Sequence, residues 1–136
     1  VNVYGDNGQG YQNNNNKGFS TAFNYWVDEN GNGRVSPDEL KGTSDIFYLS
    51  REKQINFGTY VDGKMDKIME FHLYCVKNNK LLEVISKKFS IPSNDYAGWV
   101  EFSSEDIRRV GATGKCIVNF WAGDEPIDSY YVSLFE

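Results

Sequence analysis

Oxygen-bearing residues occupy alternate positions in one short segment, residues 28–39, which reads Asp-Glu-Asn-Gly-Asn-Gly-Arg-Val-Ser-Pro-Asp-Glu. A calcium ion takes about six to eight oxygen ligands from carboxylates, amides, hydroxyls, backbone carbonyls and water. The segment offers such atoms at regular spacing: the side chains of Asp28, Asn30, Asn32, Ser36 and Glu39, and the backbone carbonyl of Arg34. The spacing therefore predicts one Ca²⁺ site, with Glu39 contributing both carboxylate oxygens and Ser36 binding directly or through a water.

Two further residues suit such a loop. Gly33 lies where the chain must turn sharply, and we expect a Cβ there to clash. Val35 is the apolar residue that would anchor the loop to the core. The alternative is a polar turn followed by a capped helix, and residues 36–39 do form a good capping box. Capping leaves the other residues of the pattern unexplained: Asp28, Asn30, Asn32, Gly33 and Val35.

This spacing resembles the loop of EF-hand proteins, and in particular the isolated EF-hand-type loops of secreted bacterial proteins such as dockerin-like segments. The resemblance covers about residues 19–42. Dockerins carry two such loops, whereas this sequence has one, and strands are predicted to follow it.

The expected role of the ion is structural. Only Asp28 and Glu39 are anionic ligands, and Arg34 adds a positive charge nearby. EF-hand affinities run from about nanomolar to about millimolar, depending on ligand charge and rigidity. Two carboxylates favour the weak end, where extracellular calcium would keep the site filled. A single loop whose second helix stops at Gly42 also lacks the paired long helices of a sensor.

The elements around the loop follow from apolar spacing. Residues 1–18 are rich in Asn and Gly and predict a flexible arm. Residues 19–27 predict a short helix that leads into the loop, because Ser20 suits an N-cap and apolar residues recur at helical spacing: Phe19, Phe23, Trp26 and Val27. The predicted division is therefore an arm at 1–18, a helix plus calcium loop at 19–42, and a β-sandwich at 43–136.

From residue 43 onward the apolar period falls to two. Candidate strands cover residues 45–50, 53–61, 67–76, 80–91, 99–102, 115–122 and 128–135. The dipeptides Asp62-Gly63 and Asn78-Asn79 suit two-residue hairpins, and residues 103–111 suit a short capped helix closed by glycine. We predict a mainly β fold, an antiparallel seven-stranded β-sandwich whose pattern resembles immunoglobulin and fibronectin domains.

The two cysteines are predicted to lie in the core. Cys75 shares a strand face with Met69, Phe71 and Leu73, and Cys116 shares a face with Val118, Phe120 and Ala122. Facing positions on core strands allow a disulfide, but spacing alone does not show that the Cα atoms are close enough. A disulfide between Cys75 and Cys116 and two buried thiols therefore both stay open.

The aromatic residues and the single histidine give weaker indications of a binding or catalytic site. Trp99, Trp121 and Tyr130 could stack sugar rings if they were exposed, whereas aromatic residues on a sheet more often pack under a loop. His72 is the single histidine, and no nucleophile with a neighbouring base accompanies it, so an enzyme is not expected.

Composition narrows the partners. A net charge of −5 gives no reason to seek nucleic acid, and no apolar stretch is long enough for membrane insertion. The chain begins without Met, and we expect a mature product or a domain of a longer protein.

The predicted function is a non-catalytic extracellular module, secreted or on the cell surface. It would bind calcium structurally and act in adhesion, spacing or assembly, with protein or glycan as the ligand. A calcium-stabilised carbohydrate-binding module is the alternative.

Overall fold

The computed structural model describes residues 3–4, 20–35, 37–60, 67–91 and 97–136, and strands dominate them. The elements are β1 (Val3–Tyr4), β2 (Thr21–Phe23), β3 (Tyr25–Trp26), β4 (Arg34–Val35), a 3₁₀ turn (Pro37–Glu39), β5 (Leu40–Lys41), β6 (Ile46–Tyr48), β7 (Gln54–Tyr60), β8 (Lys67–Lys77), β9 (Lys80–Ile91), β10 (Ala97–Ser103), α1 (Ser104–Arg109), β11 (Gly114–Ala122) and β12 (Glu125–Phe135).

Two sheets face each other as a sandwich. One has three antiparallel strands in the order β10-β7-β2, and the other has five strands in the order β6-β12-β11-β8-β9. The mainly β sandwich is confirmed, and each of the seven predicted strands is present. The seven-strand count is wrong, because the two sheets of the sandwich contain eight described strands, of which β2 is the addition, while β1 pairs with β4 and β3 with β5 in two separate short ladders. The purely antiparallel arrangement is also wrong, because β6 pairs in parallel with β12.

Strict alternation along β8 and β11 builds the main core between the sheets, because successive side chains of a strand point to opposite faces. The predicted inward faces are buried on both strands: Met69, Phe71, Leu73 and Cys75 on β8, and Cys116, Val118, Phe120 and Ala122 on β11. Phe71 lies at the centre, with its ring 5.3 Å from that of Phe57 on the opposite sheet and 5.4 Å from that of Phe120.

The cysteines form a disulfide. Cys75 and Cys116 are register partners on the adjacent strands β8 and β11, and their sulfur atoms are bonded. Of the two alternatives left open by the sequence, the structure has the disulfide and no free thiol.

The turns and the short helix follow their predicted chemistry. Asn78 and Asn79 have φ angles of 53° and 66° and join β8 to β9 as a tight hairpin. The hydroxyl of Ser103 caps α1 by accepting a hydrogen bond from the backbone of Asp106 at 3.0 Å. The predicted Asp62-Gly63 turn lies outside the described residues. Across the described ranges, no helix has the length and apolar character needed to cross a bilayer.

The short helix predicted over residues 19–27 is wrong. Residues 21–23 form β2 at the edge of the three-stranded sheet, and residues 25–26 form β3. Ala22 is buried in the main core, while the next residue, Phe23, is buried on the opposite face of the same sheet. A strand gives both neighbours an apolar environment, and this burial outweighs the helical spacing of the aromatic residues.

The second helix of the predicted motif is reduced to the 3₁₀ turn Pro37–Glu39, which runs directly into β5. Strands therefore flank the loop on both sides. Apart from β1, the predicted flexible arm at 1–18 lies outside the described residues. The boundary between 42 and 43 stays a prediction, although β2 already pairs with β7.

Candidate metal centre

A small antiparallel ladder closes the ends of the predicted calcium loop. β3 pairs with β5, so that Trp26 lies opposite Leu40. The backbone N–H of Val27 donates to the carbonyl of Glu39 at 3.1 Å, which continues the ladder to the first residue of the loop. The two anionic residues of the pattern, Asp28 and Glu39, are thus brought to the same end of a closed loop.

Asp28 has one oxygen engaged and one oxygen without a partner. Its Oδ2 accepts a hydrogen bond from the backbone N–H of Gly33 at 2.7 Å, and its carbonyl accepts one from Gly31 at 3.3 Å. Its Oδ1 is buried and has no hydrogen-bond partner among the described residues. A buried carboxylate oxygen left without a donor is costly, and a cation beside it would relieve that cost.

Glu39 is a buried carboxylate whose side chain turns back to the start of the loop. The residue is only 2% exposed. Its Oε2 accepts from the backbone N–H of Glu29 at 3.0 Å, and its Oε1 accepts from the indole Nε1 of Trp26 at 3.2 Å. Hydrogen bonds to a charged acceptor are among the stronger ones, so the carboxylate is held at both oxygens.

The remaining predicted ligands belong to the same loop. Asn30 folds its Oδ1 over the turn and accepts from the backbone N–H of Asn32 at 3.1 Å. Both amide side chains are exposed. Arg34 lies in β4, where its backbone pairs with β1. Ser36 lies outside the described residues.

Two positions of the loop need glycine because the backbone there has a positive φ angle. Gly31 and Gly33 have φ angles of +70° and +72°, a region that side chains with a Cβ rarely adopt. The expected clash at Gly33 is wrong, because a Cβ built there would meet no atom within 4 Å.

The donor set suits a hard cation. The described residues contain no group of three or more His, Cys, Asp or Glu side chains arranged for a metal ion, and only two of the predicted ligands, Asp28 and Glu39, are carboxylates. Its other predicted donors are amide, hydroxyl and carbonyl oxygens, which suit Ca²⁺ and Mg²⁺ better than zinc or copper. The buried, unpartnered Oδ1 of Asp28 is the atom that fits a cation best.

A second cluster fastens the loop to the outer face of the three-stranded sheet. It consists of buried Phe23, Val35, Leu40 and Ala97, with Trp26, Tyr60 and Trp99 packed against them. The rings of Trp26 and Trp99 lie 6.2 Å apart. Val35 is fully buried, which confirms its predicted role as the anchor of the loop.

Three amide side chains form a network that sequence reasoning missed. Asn24 Nδ2 donates to the carbonyl of Gln54 at 2.9 Å, Gln54 Nε2 donates to Asn56 Oδ1 at 2.9 Å, and Asn56 Nδ2 donates to the carbonyl of Asn24 at 3.1 Å. The network ties the base of the loop to β7. No sequence pattern places polar residues thirty positions apart next to each other. The one available signal was Asn56, a polar residue between Ile55 and Phe57 in a predicted strand, since a polar side chain buried in a sheet needs hydrogen-bond partners.

Gly42, which follows β5, yields a direct test of this attachment. Its φ is +76°, and a Cβ there would lie 1.9 Å from Asn24 Oδ1. We expect Gly42→Ala to lower the free energy of unfolding by roughly 2–3 kcal/mol, because backbone strain adds to a clash. Gly111→Ala is the matched control in chemical denaturation. The φ of Gly111 is +75°, but a Cβ built there would meet no atom within 4 Å, so only backbone strain lowers the stability of this variant. Equal costs at both positions would contradict the role given to Asn24.

The three aromatic residues predicted as possible sugar-binding residues lie on different faces. Trp99 belongs to the second cluster and donates from Nε1 to Glu101 at 3.1 Å. Tyr130 points toward the main core and donates its hydroxyl to the carbonyl of Gly58 at 3.1 Å. Trp121 is half-buried on the outer face of the five-stranded sheet. They do not form one common platform.

His72 lies on that same outer face, within a polar network. Its Nδ1 lies 2.7 Å from Glu83 Oε1, and its Nε2 lies 3.0 Å from Glu70 Oε1. The ring of Tyr74 is 6.2 Å away. Burial raises the pKa of the Tyr74 phenol, and the Glu83 carboxylate raises it further. These contacts describe His72 as a half-buried strand residue between two carboxylates.

Comparisons with known proteins find only distant structural likeness. No family model matches the chain, and a search of curated proteins finds no match. Among solved structures, an immunoglobulin-like protein from Pseudomonas aeruginosa is 9% identical, with 74% of this chain and 86% of that chain covered and a TM-score of 0.48.

Two larger enzymes are also similar in part. An alkylpurine DNA glycosylase from Pseudomonas fluorescens is 15% identical over 68% of this chain and 28% of that one, with a TM-score of 0.40. A beta-glucosidase from Listeria innocua is 12% identical over 84% of this chain and 22% of that one, with a TM-score of 0.40. The chain thus spans less than a third of either enzyme. At these TM-scores the likenesses carry no argument about activity, and the β-sandwich stands on its own strands and core.

Proposed function

We propose that this chain is a non-catalytic, extracellular β-sandwich module that binds one Ca²⁺ ion in residues 28–39. The observation that carries the proposal is the buried, unpartnered Oδ1 of Asp28 at the same end of the loop as the buried carboxylate of Glu39. A cation beside the Asp28 Oδ1 would relieve the cost of leaving that buried oxygen without a donor. Asn30, Asn32, Ser36 and the carbonyl of Arg34 are the further oxygen donors in the proposal.

The proposed role of the ion is to rigidify the loop on the sandwich. The β3–β5 ladder fixes both ends of the loop, and Val35 fixes its second half in the second cluster. Strands rather than long helices flank the loop, so the helix opening by which EF-hand sensors expose a groove does not apply here. A bound ion would then stabilise one conformation rather than switch between two.

An extracellular setting is supported by two independent features. Two anionic ligands favour weak binding, which millimolar calcium outside cells would saturate. The disulfide between Cys75 and Cys116 is a type of bond that persists mainly in oxidising compartments. In such a setting we propose a part in adhesion, domain spacing or assembly of a larger surface or secreted protein.

The carbohydrate-binding alternative stays a prediction. The separation of Trp99, Trp121 and Tyr130 onto different faces argues against a single ring-stacking surface formed by these three residues. The structural calcium site does not depend on that alternative.

Amide hydrogen exchange with and without calcium tests the structural role. We expect calcium to slow exchange of the backbone N–H groups of Glu29 and Gly33, which donate to Glu39 and Asp28. Any slowing along β8 and β11 should not exceed the gain in global stability on binding, because these strands lie in the other sheet. Faster exchange around the second cluster on calcium addition would instead indicate a sensor that opens, and would overturn the proposal.

A further inference from the structure

The loop at residues 28–39 contains the dipeptide Asn-Gly twice, as Asn30-Gly31 and Asn32-Gly33. Both asparagines are exposed, and neither lies in a helix or a strand. Asparagine is a thermolabile residue, because its side-chain amide is lost when the backbone reacts with it. A following glycine favours this reaction, since the missing Cβ lets the backbone nitrogen approach the side chain closely. Because the two dipeptides have the same sequence, any large difference between them must come from the fold.

The reaction is an attack by the backbone nitrogen of the glycine on Cγ of the preceding asparagine. An N–Cγ bond forms, the attacking nitrogen gives its proton to solvent, and the Cγ–Nδ2 bond breaks, so that the side-chain nitrogen leaves as ammonia. Water then opens the five-membered imide at either of its two carbonyls. One opening gives aspartate, and the other gives isoaspartate, in which the backbone runs through the former side chain. Neither step needs an oxidant or a reductant.

The two attacking nitrogens differ in how firmly they are held. The N–H of Gly33 donates to the charged Oδ2 of Asp28 at 2.7 Å. The N–H of Gly31 donates to the neutral carbonyl of Asp28 at 3.3 Å, which is slightly longer than a typical N–H···O bond. Hydrogen bonds to an ionised acceptor are roughly twice as strong as neutral ones. Since each nitrogen must leave its acceptor before it attacks, the nitrogen of Gly33 is held back more strongly.

The side chain of Asn30 is also positioned for the attack. Its Oδ1 accepts a hydrogen bond from the backbone N–H of Asn32 at 3.1 Å, so the side chain folds over the intervening Gly31. Attack on Cγ moves negative charge onto this oxygen, and an N–H already directed at the oxygen stabilises that charge. The leaving group, Nδ2 of Asn30, donates to no other residue within the described parts of the chain.

We propose that Asn30 is a deamidation site of the folded protein, which converts to aspartate or isoaspartate in preference to Asn32. The assignment follows from the hydrogen bonds of the loop and does not depend on calcium. Its consequence for the ion rests on the proposed function. Aspartate at position 30 adds a third carboxylate to Asp28 and Glu39, and the affinity of such loops rises with ligand charge. Isoaspartate instead lengthens the backbone beside Gly31 and displaces the ligand.

The test follows the asparagines of the folded, full-length protein in a single peptide. The protein is incubated in chelator at physiological temperature and mildly alkaline pH, and samples are digested with trypsin. Cleavage after Lys17 and Arg34 releases residues 18–34, and fragment masses assign each conversion to one residue. Asn24 in the same peptide is the internal control, because Tyr25 follows it and its Nδ2 donates to the carbonyl of Gln54 at 2.9 Å.

We expect Asn30 to convert about fivefold or more faster than Asn32, and Asn24 to stay unconverted over the same period. A fivefold ratio corresponds to about 1 kcal/mol, which is the usual difference between hydrogen bonds to charged and to neutral acceptors. In concentrated urea, where the loop contacts are lost, Asn30 and Asn32 should convert at similar rates. Equal rates in the folded protein, or a faster rate at Asn32, would overturn the proposal.

Asp28→Ala tests the cause of the difference, because it removes the carboxylate that holds Gly33 but keeps the carbonyl that holds Gly31. The rate at Asn32 should rise toward that at Asn30. A rate at Asn32 that stays low in this variant would overturn the role given to the carboxylate. If the variant does not fold, the comparison of folded and urea-unfolded wild type still decides whether the fold protects Asn32.

Calcium titration into Asn30→Asp keeps the deamidation site and the proposed function apart. We expect the variant to bind calcium on the order of tenfold more tightly than wild type. Asn78→Asp is the matched control, because it adds the same charge in the hairpin between β8 and β9, away from the loop. Unchanged affinity in Asn30→Asp would overturn the consequence for the ion. A wild-type protein that binds no calcium would overturn the proposed function and leave the deamidation site standing.

Discussion

Glu39→Gln is expected to weaken calcium binding on the order of a hundredfold or more and to remove any calcium-dependent rise in melting temperature. The substitution keeps the size of the side chain but removes one of only two anionic ligands. It also replaces one carboxylate oxygen with an NH₂ group, which would face the ion and the donor that this oxygen accepts from, either Trp26 Nε1–H or the backbone N–H of Glu29. Calorimetry and thermal unfolding in calcium and in chelator measure both effects.

The matched control is Glu29→Gln, the same substitution at the adjacent position of the loop. The Glu29 side chain is half-exposed and pairs with Lys41 at 2.9 Å, and only its backbone N–H contacts Glu39. An exposed ion pair is worth about 0–1 kcal/mol, so calcium affinity should stay within a few-fold of wild type. Wild-type affinity in Glu39→Gln would contradict the assignment of Glu39 as a ligand.

Replacing both cysteines with alanine is expected to lower the free energy of unfolding by about 4 kcal/mol. Cys75 and Cys116 are separated by 41 positions, and closing a loop of this length restricts the unfolded chain by roughly that amount. Urea unfolding of the Cys75→Ala/Cys116→Ala protein measures the change.

Calcium affinity of the same variant serves as the internal control. The disulfide lies in the five-stranded sheet, whereas the loop packs on the outer face of the other sheet. The affinity should therefore be unchanged once the protein is folded. A cost below about 1 kcal/mol would contradict the stabilising role of the bond, and a large loss of affinity would contradict the separation of loop and disulfide.

The strands of the sandwich could be predicted from apolar residues at every second position, because a strand that buries one face has apolar side chains on that face. The inward faces of residues 69–75 and 116–122 are buried as predicted, although the outer face of the second segment also carries the apolar residues Ile117 and Trp121. The Asn78-Asn79 hairpin is equally local, since two positive φ angles call for residues such as Asn or Gly. The parallel pairing of β6 with β12 leaves no such mark, because it joins distant parts of the chain.

The segment before the loop shows where pattern reasoning fails. Phe23 and Trp26 have a spacing that suits one face of a helix, but in the structure they belong to two short strands that share the second cluster. Ala22 and Phe23 are buried on opposite faces, which only tertiary packing can arrange. Short strands of two or three residues contain too few positions for alternation to be visible.

The loop itself was predictable as a set of donors, but its supporting contacts were not. The spacing of Asp28, Asn30 and Asn32 is local and survives any change in the flanking elements. The hydrogen bond from Trp26 to Glu39 depends on the β3–β5 ladder, which replaces the predicted helices. The physical reason for Gly33 also changed, from a clash to a positive φ.

Calorimetric titration of calcium into the chelator-treated wild-type protein tests the metal site most directly. We predict one site with a dissociation constant in the micromolar to millimolar range, and a melting temperature that rises with calcium as mass action requires, because the folded loop alone binds the ion. No heat of binding together with an unchanged melting temperature at several millimolar calcium would contradict a calcium site at Asp28 and Glu39.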